Sequence, residues 1–163
     1  MGFFSKLKKE EKKYNDTDIV AIANATIVPT ENIHDPVFSK ELLGQTIAFE
    51  LKNDVIVSPC NGILEVMYPT GHAFAVRRKD GMGILVHVGI NTVNLKGKGF
   101  KLYAKQGDEV KAGQKLLWID TELIKEAGYD LTTMLIITEQ LHEGEKVQLT
   151  CQGTVSKGQV INS

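Results

Sequence analysis

The sequence predicts an all-β fold, an antiparallel β-sandwich or barrel with one or two short helices. Three observations carry that expectation. Short runs rich in Val, Ile, Leu and Phe recur along nearly the whole chain; Gly, Asn, Asp or Pro stand between most of them; and a capped helical pattern occurs at only two places. A chain of 163 residues can bury one sizeable core. A single domain over residues 19–163 is therefore expected, behind a flexible or amphipathic tail of residues 1–18.

In the tail, Phe3, Phe4 and Leu7 share one helical face with Lys6 and Lys9 opposite, and residues 10–13 are all charged. An amphipathic basic segment of this kind suits an anionic membrane surface, and a solvated tail has the same composition. Ser5 lies one place short of the hydroxyl that the myristoylation pattern requires. Strands are expected over 19–22, 25–29, 46–51, 55–57, 62–68, 73–77, 83–88, 100–104, 115–119, 134–138, 148–151 and 159–162. A first helix is expected over 36–43, with Asp35 as its cap and Pro36 at the first helical position. A second is expected over 120–127, with Asp120 as its cap and Gly128 as its stop. Both are too short to form layers and should plug sheet edges or corners. Residues 106–116, with the steps Gly107-Asp108 and Ala112-Gly113, form a turn that resembles the hammerhead turn of biotinyl- and lipoyl-type carrier domains. Residues 146–161 form a weaker strand–turn–strand of similar flavour around Gly153 and Gly158.

Bulk properties exclude several function classes. A formal net charge of −1 with 24% charged residues gives no global bias toward nucleic acid. No apolar run reaches the length that spans a bilayer, and no secretory signal precedes the first turn signals. Cys60 and Cys151 lack any CxxC spacing, so neither a disulfide framework nor a structural zinc site is expected. A reducing cytoplasm is the simplest compartment.

His72 and His87 stand on strand-like flanks on either side of Asp80-Gly81, a two-residue hairpin signal. With that loop, Lys79 opposes Met82, His72 opposes Gly89, and His87 becomes the diagonal neighbour of His72 on one face. An odd loop over 79–81 would put the two on opposite faces, because side chains alternate along a strand. Two imidazoles on an apolar sheet face suit phosphoryl transfer or a metal. As a phosphoryl acceptor, His87 must be neutral, and an apolar collar that includes Leu85 favours that. One ring nitrogen must be pinned as N–H on a carbonyl so that the other keeps its lone pair. Gly89 would let backbone approach the ring. Donors for the phosphate would be the His72 ring and the N–H groups of residues 89–92, with the Thr70 hydroxyl orienting His72. As metal ligands, His72 and His87 supply half a tetrahedral shell. His34 and His142 lie in polar, loop-like contexts, so only a zinc site completed by a partner's carboxylate stays open.

Residues 58–62 (Ser-Pro-Cys-Asn-Gly), 70–74 (Thr-Gly-His-Ala-Phe), 87–100 (His-Val-Gly-Ile-Asn-Thr through Gly-Phe) and 107–113 together resemble the glucose-class IIA component of the bacterial phosphoenolpyruvate-dependent sugar phosphotransferase system. The resemblance is collinear from Ile19 to Ile161 and most specific over 87–100. It implies a barrel-sandwich of the duplicated hybrid motif type and a transferase role. His87 matches the phosphorylated residue of that family, accepting on Nε2; His72 matches the partner that stabilises the phosphate, and Thr70 the residue bonded beside it. Asp35, Val37, Phe38, Tyr68, Leu85 and Asn91 match the docking surface. The implied partners are the phosphocarrier HPr as donor, a cysteine on the IIB domain of a sugar permease as acceptor, and regulatory target proteins. No cofactor is required, although in some relatives zinc bridges the two histidines and a partner's carboxylate. The N-terminal segment of relatives contacts membranes peripherally.

Two departures bear on the site. Asn91 stands where the family usually has an aspartate that meets an arginine of HPr, and Gly71 replaces a common asparagine, which should loosen the loop before His72. Two other classes compete. A biotinyl or lipoyl carrier needs a lysine at a hairpin tip; strand 62–68 carries none, and Lys79 has an unrelated context. A zinc peptidase-like sandwich needs a third ligand, which the sequence does not offer.

Overall fold

The computed structural model describes residues 12–163, so the amphipathic reading of Phe3, Phe4 and Leu7 lies outside the described residues. The strands are β1 (Ala25–Val28), β2 (Gln45–Leu51), β3 (Val55–Val57), β4 (Gly62–Met67), β5 (Ala73–Arg78), β6 (Gly83–His87), β7 (Phe100–Leu102), β8 (Glu109–Val110), β9 (Lys115–Ile119), β10 (Thr133–Glu139) and β11 (Thr154–Val155). Two short helices accompany them, α1 (Pro36–Ser39) and α2 (Thr121–Glu126). Eight strands form one sheet in the order β11-β1-β2-β10-β6-β5-β4-β8, and β3-β9-β7 form a second. Every paired neighbour is antiparallel.

Period-two alternation decides what lies between the sheets. Phe49, Phe74, Val76, Ile84, Val86, Leu135 and Ile137 of the large sheet meet Ile56, Leu116, Leu117 and Ile119 of the small one in a single core. The intervening residues of β2, β6 and β10 face the other way. Ala48, Leu85, Met134 and Ile136 form a second, smaller apolar group, roofed by Ile33, Phe38 and Ile90. This outer face of the large sheet is where the histidines lie.

Nine of the expected strands form within two residues of their expected bounds. Segments 19–22, 148–151 and 159–162 do not form ladders; they meet only in the isolated bridges Val20↔Val160 and Leu149↔Asn162. The cause is divided pairing. Val20 N–H donates to Pro59 O, whereas Ala21 N–H donates to Gln159 O, so this wholly buried segment is shared between two neighbours. The expected helix 36–43 stops at Ser39. Leu42 N–H reaches back to Val37 O and Glu41 N–H to Phe38 O, a Schellman closure with Glu41 at φ +53° in the position glycine usually takes. Helix α2 ends in the same way, with Gly128 at φ +91° as the sequence suggests.

Contacts to the body begin inside the segment expected as a tail. Tyr14 donates its hydroxyl to Gly158 O at 2.7 Å, Asn61 Nδ2 donates to Tyr14 O, and Arg78 and Asn162 both donate to Thr17 O, so the body already holds the chain from Tyr14. Cys60 is buried, and burial pushes its thiol up to about 12, which makes it inert; Cys151 is exposed.

Candidate functional site

The β5–β6 hairpin supplies both histidines, but not in the register that Asp80-Gly81 suggests. Arg77 opposes Gly83 and Ala73 opposes His87, so the loop holds three residues, 79–81. Arg78 N–H donates to Met82 O and Gly81 N–H to Arg78 O, with Gly81 at φ +104°, which is a turn followed by a glycine bulge. Asp80 is taken up by Arg78, whose guanidinium holds both carboxylate oxygens at 2.8 and 2.6 Å.

Strict alternation would now turn His72 away from His87. It does not, because β5 begins only at Ala73 and His72 belongs to the bend before it, entered through Gly71 at φ +73°. The bend brings the two rings to 5.6 Å between centroids, nearly edge to face at 77°. Gly71 does not loosen this loop. Its N–H donates to Tyr68 O, and a Cβ there would stand 2.9 Å from Phe100 Cβ, so the bend is pressed against β7.

Each ring is held by Nδ1. His87 Nδ1–H donates to Gly89 O at 2.7 Å, which fixes the tautomer and leaves Nε2 with its lone pair. His72 Nδ1 and the Thr70 hydroxyl share a bond of 2.5 Å. His87 is half-buried, while His72 is 8% exposed. Burial, and secondarily the neighbouring His87, holds His72 below the ordinary histidine value. Burial also lowers His87, opposed by its bond to Gly89 O and by the charge of Asp35. Both rings are therefore neutral at physiological pH.

A stability profile follows with a definite sign. The unfolded chain takes up protons on these imidazoles near 6.5, whereas the folded chain resists until lower pH. Between those values the unfolded state binds more protons, so stability falls as pH drops through the ordinary histidine range. Thermal melts from pH 7.5 downward should show this, and a variant lacking both imidazoles should show a flatter profile over the same window.

The other expected residues surround the pair. The Phe38 ring lies 5.0 Å from His87 and the Tyr68 ring 4.9 Å from His72. Phe38 is buried, Leu85 is half-buried on the same strand face as His87, and Val37 and Tyr68 are exposed. Asp35 caps α1, accepting Val37 N–H at 2.9 Å. Asn91 is exposed in the left-handed region at φ +60°, which asparagine and aspartate both tolerate. Sequence reasoning did not single out Asp130, whose carbonyl accepts Ile90 N–H beside the site.

One expectation about residues 89–92 needs correction. Ile90 N–H is not free for an anion, because it donates to Asp130 O at 2.9 Å. Gly89 does bring backbone to the ring, through its carbonyl, and what lies behind it bars a side chain. It takes φ +75°, and a Cβ would meet Thr92 Cγ2 at 2.6 Å and Asp130 O at 3.0 Å. His34 is exposed and pairs with Asp130 at 3.2 Å, and His142 lies in an exposed loop. Among the described residues no group of three His, Cys, Asp or Glu side chains could hold a metal. Among them, too, no helix is long and apolar enough to cross a membrane.

Fold and site together define a class: an antiparallel β-sandwich that presents two neutral imidazoles beside an apolar group on its outer sheet face. The comparisons with known proteins narrow that class. The family model described as phosphoenolpyruvate-dependent sugar phosphotransferase system, EIIA 1, matches residues 17–142, and the chain belongs to this family. A glucose-specific EIIA component of Buchnera aphidicola is 35% identical over 161 residues, covering 99% of this chain and 96% of that protein. One from Bacillus anthracis is 36% identical over 155 residues, covering 95% and 93%. A glucose-specific EIICBA component of Streptococcus pneumoniae is 36% identical over 121 residues, which are 74% of this chain and 17% of that protein. The solved structure of glucose permease IIA from Mycoplasma capricolum superposes with a TM-score of 0.81 at 32% identity, covering 89% of this chain and 93% of that one. The protein is thus an EIIA-type phosphoryl carrier component of a sugar phosphotransferase system.

Proposed function

We propose that His87 is the carrier residue, taking a phosphoryl group from phospho-HPr and handing it to a cysteine on the IIB domain of a glucose-class permease, in the cytoplasm. The observation that carries this is the bond from His87 Nδ1–H to Gly89 O, which leaves Nε2 as a nucleophile on a half-buried ring packed beside Phe38. Nε2 attacks phosphorus, the bond to the donor nitrogen breaks, and its electron pair returns to the donor ring. Positive charge develops on the His87 imidazole as the N–P bond forms. The Gly89 carbonyl and the Asp35 carboxylate already face that charge, so little has to reorganise. With the Thr70 hydroxyl donating to Nδ1, His72 keeps its proton on Nε2 as a donor for the phosphate oxygens. A IIB acceptor is supported by the Streptococcus pneumoniae relative, whose name joins EIIA to C and B components.

Exposed Val37, next to Phe38, and exposed Tyr68, against His72, give partners an apolar rim. Placing a doubly charged group at its centre changes which partner fits, and this supports a regulatory role toward target proteins. The same two rings could give zinc two nitrogens, with a docked partner's carboxylate completing the shell.

The test is to incubate the chain with phosphoenolpyruvate and the general phosphotransferase proteins and locate the label by tandem mass spectrometry. One acid-labile, base-stable phosphoryl group on His87 is expected; a label elsewhere, or none, overturns the proposal. The His72→Gln variant should still accept phosphate, while onward transfer to the IIB domain falls about 100-fold through loss of one transition-state donor.

A further inference from the structure

We infer that Asp130 is a positioning residue for His87, acting through a single peptide group. Gly89 C=O and Ile90 N–H are the two ends of the same planar peptide unit. One end accepts from His87 Nδ1–H at 2.7 Å, and the other donates to Asp130 O at 2.9 Å. The direction in which Gly89 O points is therefore set by where Asp130 O lies. Bonds in such a chain also polarise one another, which strengthens the grip on Nδ1–H.

The position of Asp130 O is itself built. Asp130 Oδ1 accepts Thr132 N–H at 2.8 Å, an Asx turn that fixes the backbone torsion orienting the Asp130 carbonyl. Thr133 then opens β10, whose Met134 pairs directly with His87, so the turn is anchored on the strand beside the acceptor. The carboxylate also meets His34 Nδ1 at 3.2 Å, next to Asp35. That pair is exposed on the histidine side and contributes little by itself. The device is geometric: the side chain holds its own carbonyl, the carbonyl holds the 89–90 peptide, and the peptide holds the tautomer that keeps Nε2 open.

This inference rests on His87 being the phosphoryl acceptor, so its test has one readout that does not. Long-range proton–nitrogen spectra of the imidazoles, taken where the rings are neutral, give the fraction of His87 carrying its proton on Nδ1. Transfer from phospho-HPr to the full chain gives the rate. Asp130→Asn can still close the Asx turn and should keep both the wild-type tautomer and a rate within about two-fold. Asp130→Ala and Asp130→Glu cannot close it in the same way. Both should shift protons from Nδ1 to Nε2 and slow acceptance about 10-fold or more, the scale of a small misplacement of a reacting group. Asp130→Glu retains the charge and carries the test if Asp130→Ala does not fold. A wild-type tautomer in the folded Ala or Glu variants overturns the inference, as does Asp130→Asn behaving like Asp130→Ala. If the wild-type chain takes no label on His87, the functional proposal fails, while the tautomer still reports on Asp130.

Discussion

His87→Ala should remove phosphoryl acceptance altogether, at any concentration of phospho-HPr and over any incubation time. His72 cannot take over. In the proposed arrangement Thr70 donates to its Nδ1, so its remaining nitrogen carries a proton instead of a lone pair. His34 is exposed and paired with Asp130, His142 lies in an exposed loop, and Cys60 is buried with its thiol held protonated. The variant should nonetheless fold. His87 is half-buried at the end of β6, and its removal leaves one Gly89 carbonyl lone pair without a partner, a loss of about 1–2 kcal/mol. A labelling assay beside a thermal melt therefore separates lost chemistry from lost structure. Persistent stoichiometric label on the Ala variant would assign the carrier role to another side chain.

Much of this arrangement is legible in the chain itself. Alternation in β5, β6 and β10 places Leu85 and His87 on one face and Val86, Leu135 and Ile137 on the other, and the capping aspartates Asp35 and Asp120 mark both helix starts. The meeting of the histidines is legible only as a pair of residues, not as a geometry. The two-residue loop gives the right neighbours for the wrong reason: Asp80 binds Arg78, the loop takes a third residue, and a bend outside the strand restores the contact that the changed register would have broken. The end of α1 has no sequence signal, because Glu41 adopts a torsion that local pattern assigns to glycine. Asp130 is invisible for a deeper reason. What matters is its carbonyl, which every residue has, and only the fold brings that carbonyl to Ile90.

The same peptide gives the second large effect. In Gly89→Ala the new Cβ must share space with Thr92 Cγ2 at 2.6 Å and Asp130 O at 3.0 Å, while the backbone is held at φ +75°. Thr92 cannot swing aside, since it is fully buried and its hydroxyl donates to Val88 O. Left-handed torsion on alanine contributes about 1–2 kcal/mol, and overpacking adds about 1–3 kcal/mol. The melting temperature should therefore fall by roughly 5–15 °C, and the displaced carbonyl should also cost His87 its pinned tautomer and much of its transfer rate. Gly81→Ala is the matched control. It has φ +104° but nothing within 4 Å of the new Cβ, so only the torsional part should appear and labelling should proceed at the wild-type rate. Thr92→Ser removes Cγ2 while keeping the hydroxyl bond, so in that background the Gly89→Ala penalty should shrink toward that of Gly81→Ala. If the Gly89 penalty stays unchanged when Cγ2 is gone, the close contact is not its cause, and the link between packing behind the peptide and chemistry in front of it is broken.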